Sequence, residues 1–128
     1  VYVQTTSDYT AMMEVLNRKI KTSPDMKNAV ILIMVQDPWP LPYDVALFPN
    51  LKYVKLEDID RNLDLLKEAD LILADGSHLE GLRKVFPKKF IRMNFRLRDA
   101  YEPGWALFDF EKFQSVISGD MEIEEQVR

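Results

Sequence analysis

Two short stretches hold most of the side chains in this chain that could do chemistry. The first is Asp75-Gly76-Ser77-His78, directly after the apolar run Leu71–Ala74. It offers a carboxylate, a hydroxyl and the single imidazole of the chain. The helix expected to begin at Ser77 would add free N–H groups that favour an anion. The second is Arg83–Arg98, RKVFPKKFIRMNFRLR, with seven basic residues and no Asp or Glu. The remaining chain holds ten basic against 21 acidic residues, so the net charge of −4 conceals a +7 stretch within a −11 background. Within it Ile91, Met93, Phe95 and Leu97 alternate with Arg92, Asn94, Arg96 and Arg98. Alternate side chains of a strand face opposite ways. The spacing therefore predicts one apolar face and one row of guanidiniums, suited to an anionic partner.

Several chemistries are disfavoured by what is missing. The sole His directly follows the nearest Ser, and adjacent helical side chains point apart, which disfavours a Ser-His-Asp triad. One His and no Cys disfavour zinc and exclude disulfides and thiol catalysis. A Mg²⁺ held by Asp37 and Asp75 is the remaining metal arrangement, since both Asp residues end apolar runs. Neither a metal nor a cofactor is expected. Gly76-x4-Gly81 is followed by Leu-Arg, not by the Lys-Ser/Thr of a P-loop, and no G-x-G-x-x-G occurs. Capping and turn formation also account for the first stretch. Ser77-x-x-Glu80 is a capping box, and Gly76 suits the tight turn.

These residues need elements to position them. Val1–Thr6 reads as a strand and Asp8–Lys21 as a helix, with Tyr9, Met12, Met13, Leu16 and Ile20 at helical spacing. Asn28–Gln36 is apolar on both parities, as in a central strand buried on two faces. Pro38, Pro40 and Pro42 keep the following loop extended. Asp44–Phe48 is expected as a helical turn, Tyr53–Leu56 as a strand, and Asp58–Ala69 as a helix with Ile59, Leu63 and Leu66 inward. Leu71–Ala74 is a strand, Ser77–Phe86 a helix, and Lys89–Leu97 the basic strand. Trp105–Phe110 is a strand and Glu111–Ser118 a helix with Phe113 inward. Residues 120–128 form an acidic tail, expected as a frayed helix.

The alternation predicts an α/β fold in residues 1–119. The expected form is a single three-layer domain with a mostly parallel open sheet, Rossmann-like or flavodoxin-like. About five or six strands are expected, with the basic strand 89–97 near an edge because one of its faces is charged. The opening at Val1, without an initiator Met, suggests a domain cut from a longer protein. Seven apolar residues, Ala29–Val35, are too few to cross a bilayer, and a cytoplasmic protein without membrane contact is expected.

In open α/β sheets, ligands bind beyond the carboxyl ends of the strands. The segments Gln36–Tyr43, Asp75–Glu80 and Arg98–Trp105 fall there. Trp39 and Tyr43 in one loop, and Tyr101 and Trp105 in another, stand beside prolines. Stiff loops with large aromatics lose little entropy on binding. The candidate binding residues are therefore Arg92, Arg96, Arg98, Asp75, Ser77, His78, Trp39, Tyr43, Tyr101 and Trp105. Asp99, Glu102, Asp109 and the acidic tail are the internal groups that would satisfy the basic strand instead.

Val1-Tyr2-Val3, Glu68-Ala69-Asp70-Leu71-Ile72-Leu73-Ala74-Asp75 and Glu102-Pro103-Gly104 resemble nucleoside deoxyribosyltransferase-like proteins, α/β enzymes that cleave N-glycosidic bonds. The chain lacks the glycine-rich first turn of those proteins, and its basic strand stands before Glu102-Pro103-Gly104. The resemblance assigns no family, and no site residue is carried over from it. The leading expectation is a non-catalytic binding or regulatory module that engages an acidic protein partner or small anionic ligand through the basic strand face. Self-association is included, and nucleic acid is disfavoured by the acidic balance. The alternative is an enzyme on nucleotides or phosphorylated metabolites, with its site at the carboxyl ends of the strands.

Overall fold

A computed structural model describes residues 7–34, 48–75, 84–95, 104–116 and 122–124. Helix α1, Ser7–Thr22, matches the expected span closely. Its Met12, Val15 and Leu16 are buried, the stripe that positions three and four apart produce. Ser23 donates its N–H to Lys19 O at 2.8 Å, and Pro24 opens a 3₁₀ turn, Pro24–Asn28.

Strand β1, Val30–Met34, is the central strand that its composition predicts. It pairs in parallel with β2, Asn50–Tyr53, on one side and with β3, Leu71–Asp75, on the other. Ile31 and Ile33 enter one core with Met12, Leu16, Leu71 and Leu73. Leu32 and Met34 enter a second core with Leu66, Ile72 and Ala74. Two buried parities make two cores, one on each face of the sheet. Helix α1 covers the first face. The second is covered by a 3₁₀ turn, Leu56–Arg61, and helix α2, Leu63–Glu68.

Two expectations are displaced here. The strand expected at Tyr53–Leu56 lies earlier, because Val30 to Ile33 pair with Asn50 to Tyr53. The helix expected over Asp58–Ala69 breaks at Asn62. The Asn62 backbone departs from helix (φ −121, ψ 27), and its Nδ2 donates to Asp58 O at 2.8 Å. The break changes the helical phase. Ile59 and Leu66 stay inward, but Leu63 is 38% exposed.

The other half of the sheet is antiparallel. Strand β5, Gly104–Asp109, inserts between β3 and β4, Phe90–Phe95, and runs opposite to both. Eight residues, 96–103, join β4 to β5, whereas a parallel crossover takes a dozen or more. The sheet is thus mixed, and the mostly parallel expectation holds for its β2-β1-β3 side alone. Helix α3, Phe110–Phe113, follows β5 and buries Phe113 against Phe108, with ring centroids 4.9 Å apart. A 3₁₀ turn, Gln114–Val116, continues it. Glu122–Glu124 of the acidic tail form a strand, β6, rather than the expected helix, and pair with β4. Among the described residues the order is β2-β1-β3-β5-β4-β6, so the basic strand lies one place in from an acidic edge.

Candidate functional site

The basic stretch meets three environments along β4. At its amino end lies a buried polar cluster. Asp70 and Asp109 are 4% and 5% exposed, the two buried charged residues among those described. Asp70 stands just before β3, and its Oδ2 accepts the Val30 N–H at 2.8 Å. Its Oδ1 accepts a bond from Lys112 Nζ. Asp109 donates its N–H to Asp70 O at 3.0 Å. Lys88 Nζ donates to Lys67 O and Ala69 O, both at 2.7 Å, and lies 3.8 Å from Asp109 Oδ2. This ammonium ties the end of α2 to the close of β5.

Dehydration shapes the titration of Lys88 and Asp109. Burial pushes the Lys88 amine below its ordinary 10.5, against the opposing charges of Asp109 and Asp70. Burial likewise pushes the Asp109 carboxyl above its ordinary 3.8, against Lys88 and Lys112. An open cleft of about 610 Å³ adjoins them. Lys67, Lys88, Lys89 and Lys112 line it together with Glu68, Asp109 and Glu111. With four cations beside three anions, and Asp70 behind them, the cleft has little net field to hold an anion. Three of its lysines have partners within the fold: Lys88 bonds to backbone and Asp109, Lys112 bonds to Asp70, and Lys89 lies 4.3 Å from the Phe110 ring centroid.

The middle of β4 differs from the expected two-faced strip. Ile91 is buried and Met93 packs against the first core, as the alternation predicts. The opposite parity is not wholly charged. Phe90 shares it with Arg92 and is fully buried in the second core, 5.1 Å from Phe86 between ring centroids. The charged face therefore begins at Arg92. Its guanidinium lies 4.3 Å from the centroid of the half-buried Trp105 ring, across the β4–β5 ladder. On the other side of β4, the register sets Glu122 opposite Arg92, Ile123 opposite Ile91 and Glu124 opposite Phe90.

At the carboxyl end, Met34 pairs with Ala74, Asp75 with Gly104, and Gly104 with Phe95. Of the sequence segments chosen for ligand binding, Asp75, Gly104 and Trp105 are described, and they stand at this end of the sheet. Of the candidate residues, Arg92 and Trp105 are brought into contact, and Asp75 closes β3. Arg96, Arg98, Ser77, His78, Trp39, Tyr43 and Tyr101 lie outside the described residues, as do Asp37 and Glu102. The Asp70–Lys112 pairing escaped the sequence reading, whereas Asp109 was among the internal partners expected for the basic stretch, and it lies beside Lys88. For Asp109 a signal was present: it interrupts the apolar run Trp105–Phe110, and a carboxylate there must be buried with a partner.

The architecture defines a small α/β domain with a mixed sheet, whose basic strand lies between an aromatic-bearing strand and an acidic edge. Among the described residues no helix is long and apolar enough to cross a membrane. In comparison with known proteins, the chain matches no family model, no curated protein and no solved structure. The resemblance of Val1–Val3, Glu68–Asp75 and Glu102–Gly104 gains no support from these comparisons.

Proposed function

We propose that this chain is a non-catalytic α/β binding or regulatory module that engages an acidic protein partner, or a small anionic ligand, through the Arg92 face of β4. The carrying observation is the Arg92 guanidinium over the Trp105 ring, 4.3 Å from its centroid. A cation on an aromatic face keeps its charge at a fixed place and orientation, the preorganisation that partner recognition rewards. Arg96 and Arg98 continue the same parity along the sequence. A protein partner is favoured over nucleic acid because the whole chain carries −4. The finer fold assignment, Rossmann-like or flavodoxin-like, has the parallel side β2-β1-β3 in its support and the interior antiparallel β5 against it.

The test is titration of the full chain with fluorescent poly-L-glutamate at low and high salt. Wild type binds at low salt and weakens as salt screens the charges. Replacing Arg92, Arg96 and Arg98 together by Ser lowers the affinity at least about tenfold, with the circular dichroism spectrum unchanged. Equal binding by the folded triple variant would remove the reading.

A further inference from the structure

We infer that the acidic strand β6 is an autoinhibitory element, which competes within the chain for the Arg92 face that an acidic partner would take. The inference rests on the binding role proposed for β4 and adds its regulation. Strand β6, Glu122–Glu124, pairs antiparallel with Phe90, Ile91 and Arg92 of β4. The register sets Glu122 opposite Arg92 and Glu124 opposite Phe90, with Ile123 opposite Ile91 between them. Directly opposite positions of an antiparallel pair share one face of the sheet. Positions 122 and 124 therefore belong to the face of Arg92 and Phe90, and both are glutamates. The apolar position, 123, falls on the face of Ile91, which is buried in the first core.

This segment has the chemistry of the proposed partner. It offers two glutamates on extended backbone, in register with the arginine whose guanidinium lies over Trp105. Opposite charges directly across a ladder attract, and Glu124 holds the diagonal position to Arg92 in the same row. A competitor within the chain need not bind tightly, because its tether holds it at an effective concentration on the order of mM. Strand pairing adds to this. It fixes the two glutamates in register in advance, whereas a separate acidic segment loses entropy to reach the same face. The affinity of the wild-type chain for an acidic partner is then the intrinsic affinity of the Arg92 face, reduced by the fraction of chains in which the tail still occupies it.

Affinity for fluorescent poly-L-glutamate at low salt is measured for the full chain and for two charge-matched double variants. Glu122→Gln with Glu124→Gln removes both carboxylates from the face while keeping side-chain shape. It raises affinity at least about fourfold. Asp25→Asn with Asp60→Asn makes the same change of net charge in the exposed turns Pro24–Asn28 and Leu56–Arg61, outside β4 and the strands paired with it. That pair gains less than about half as much, since its charges act only at a distance through solvent. With Arg92→Ser in place, the Gln pair gains no more than the Asn pair, which ties the effect to that guanidinium. If circular dichroism shows that the Gln pair disturbs the fold, Glu122→Gln alone replaces it with the same ordering of outcomes. Unchanged affinity in the Gln pair overturns the inference. So do equal gains from the Gln and Asn pairs, and so does a Gln gain that survives Arg92→Ser in full. In each of these cases, wild-type binding that the Ser triple variant loses leaves the binding role of β4 standing. Binding by the Gln pair alone supports both the role and its inhibition. Binding by neither wild type nor the Gln pair ends both.

Discussion

Lys88 and Arg92 stand four positions apart in one basic stretch, yet the fold uses them in opposite ways. Lys88 reaches into the sheet's lower rim, where two backbone carbonyls and Asp109 accept its charge. Arg92 lies over the Trp105 ring, with an acidic strand in register beside it. The difference follows from position along β4. At the amino end, α2, β3 and β5 converge and leave carbonyls and carboxylates that a cation must satisfy. Beyond Phe90 the strand leaves the second core, and the next side chain of that parity is free to be charged. A run of like charges is therefore not one feature. Its first part completes the fold, and its later part is the candidate for recognition.

The sharpest way to break this contrast is to remove a buried carboxylate. Asp70→Ala leaves the Val30 N–H without its acceptor beside a carboxylate that is 4% exposed, and takes the partner from the half-exposed Lys112 ammonium. A buried donor left unsatisfied costs about 1–3 kcal/mol, and the lost attraction to Lys112 puts this change at the upper end. The unfolding midpoint should fall by on the order of 10 °C, read by calorimetry. If Arg92→Ser costs as much, the two ends of β4 do not differ in kind.

Lys88→Met comes next, at about 2 kcal/mol, since it keeps the stem but leaves two carbonyls and Asp109 without their donor. Its pH dependence sharpens the comparison. The folded protein holds the Lys88 proton less tightly than the unfolded chain does, so wild-type stability rises with pH in the window below 10.5. Asp109 acts in reverse. Its raised pKa contributes stability present below 3.8 and lost as pH rises through the folded value. The difference between wild type and Lys88→Met in urea unfolding should therefore vary across the alkaline window. A difference independent of pH there would mean that Lys88 is not dehydrated, and that its end of β4 resembles Arg92's.

The same division explains what the sequence made legible. Strand β1 was readable because both parities of Val30–Met34 are apolar, and α1 because Met12 and Leu16 keep one phase. The α2 region was not, because its register depends on Asn62, whose side chain bonds backward to Asp58 instead of continuing the helix. The antiparallel placing of β5 was readable in principle from the eight residues after β4, too few for a crossover. The outward face of β4 was overestimated, since Phe90 takes the Arg92 parity into the core. Of the candidate site, the pairing of Arg92 with Trp105 could not be read, because contact across a ladder depends on register and register depends on tertiary pairing.

The smallest effect bears on that contact. Arg92→Lys keeps the charge and removes the planar group that covers the Trp105 ring. A half-buried cation–π contact is worth about 1 kcal/mol, so the unfolding midpoint should move by only a few degrees. Trp105 emission should shift as its ring face is uncovered. Affinity for poly-L-glutamate should fall by only a few-fold, well short of the loss in the Ser triple variant, if charge provides attraction and stacking provides orientation. A collapse in stability comparable with Asp70→Ala would show that the guanidinium is as much a part of the fold as the Lys88 amine. Arg92 would then belong with the structural cations, and the recognition role would have to rest on the positions that follow it.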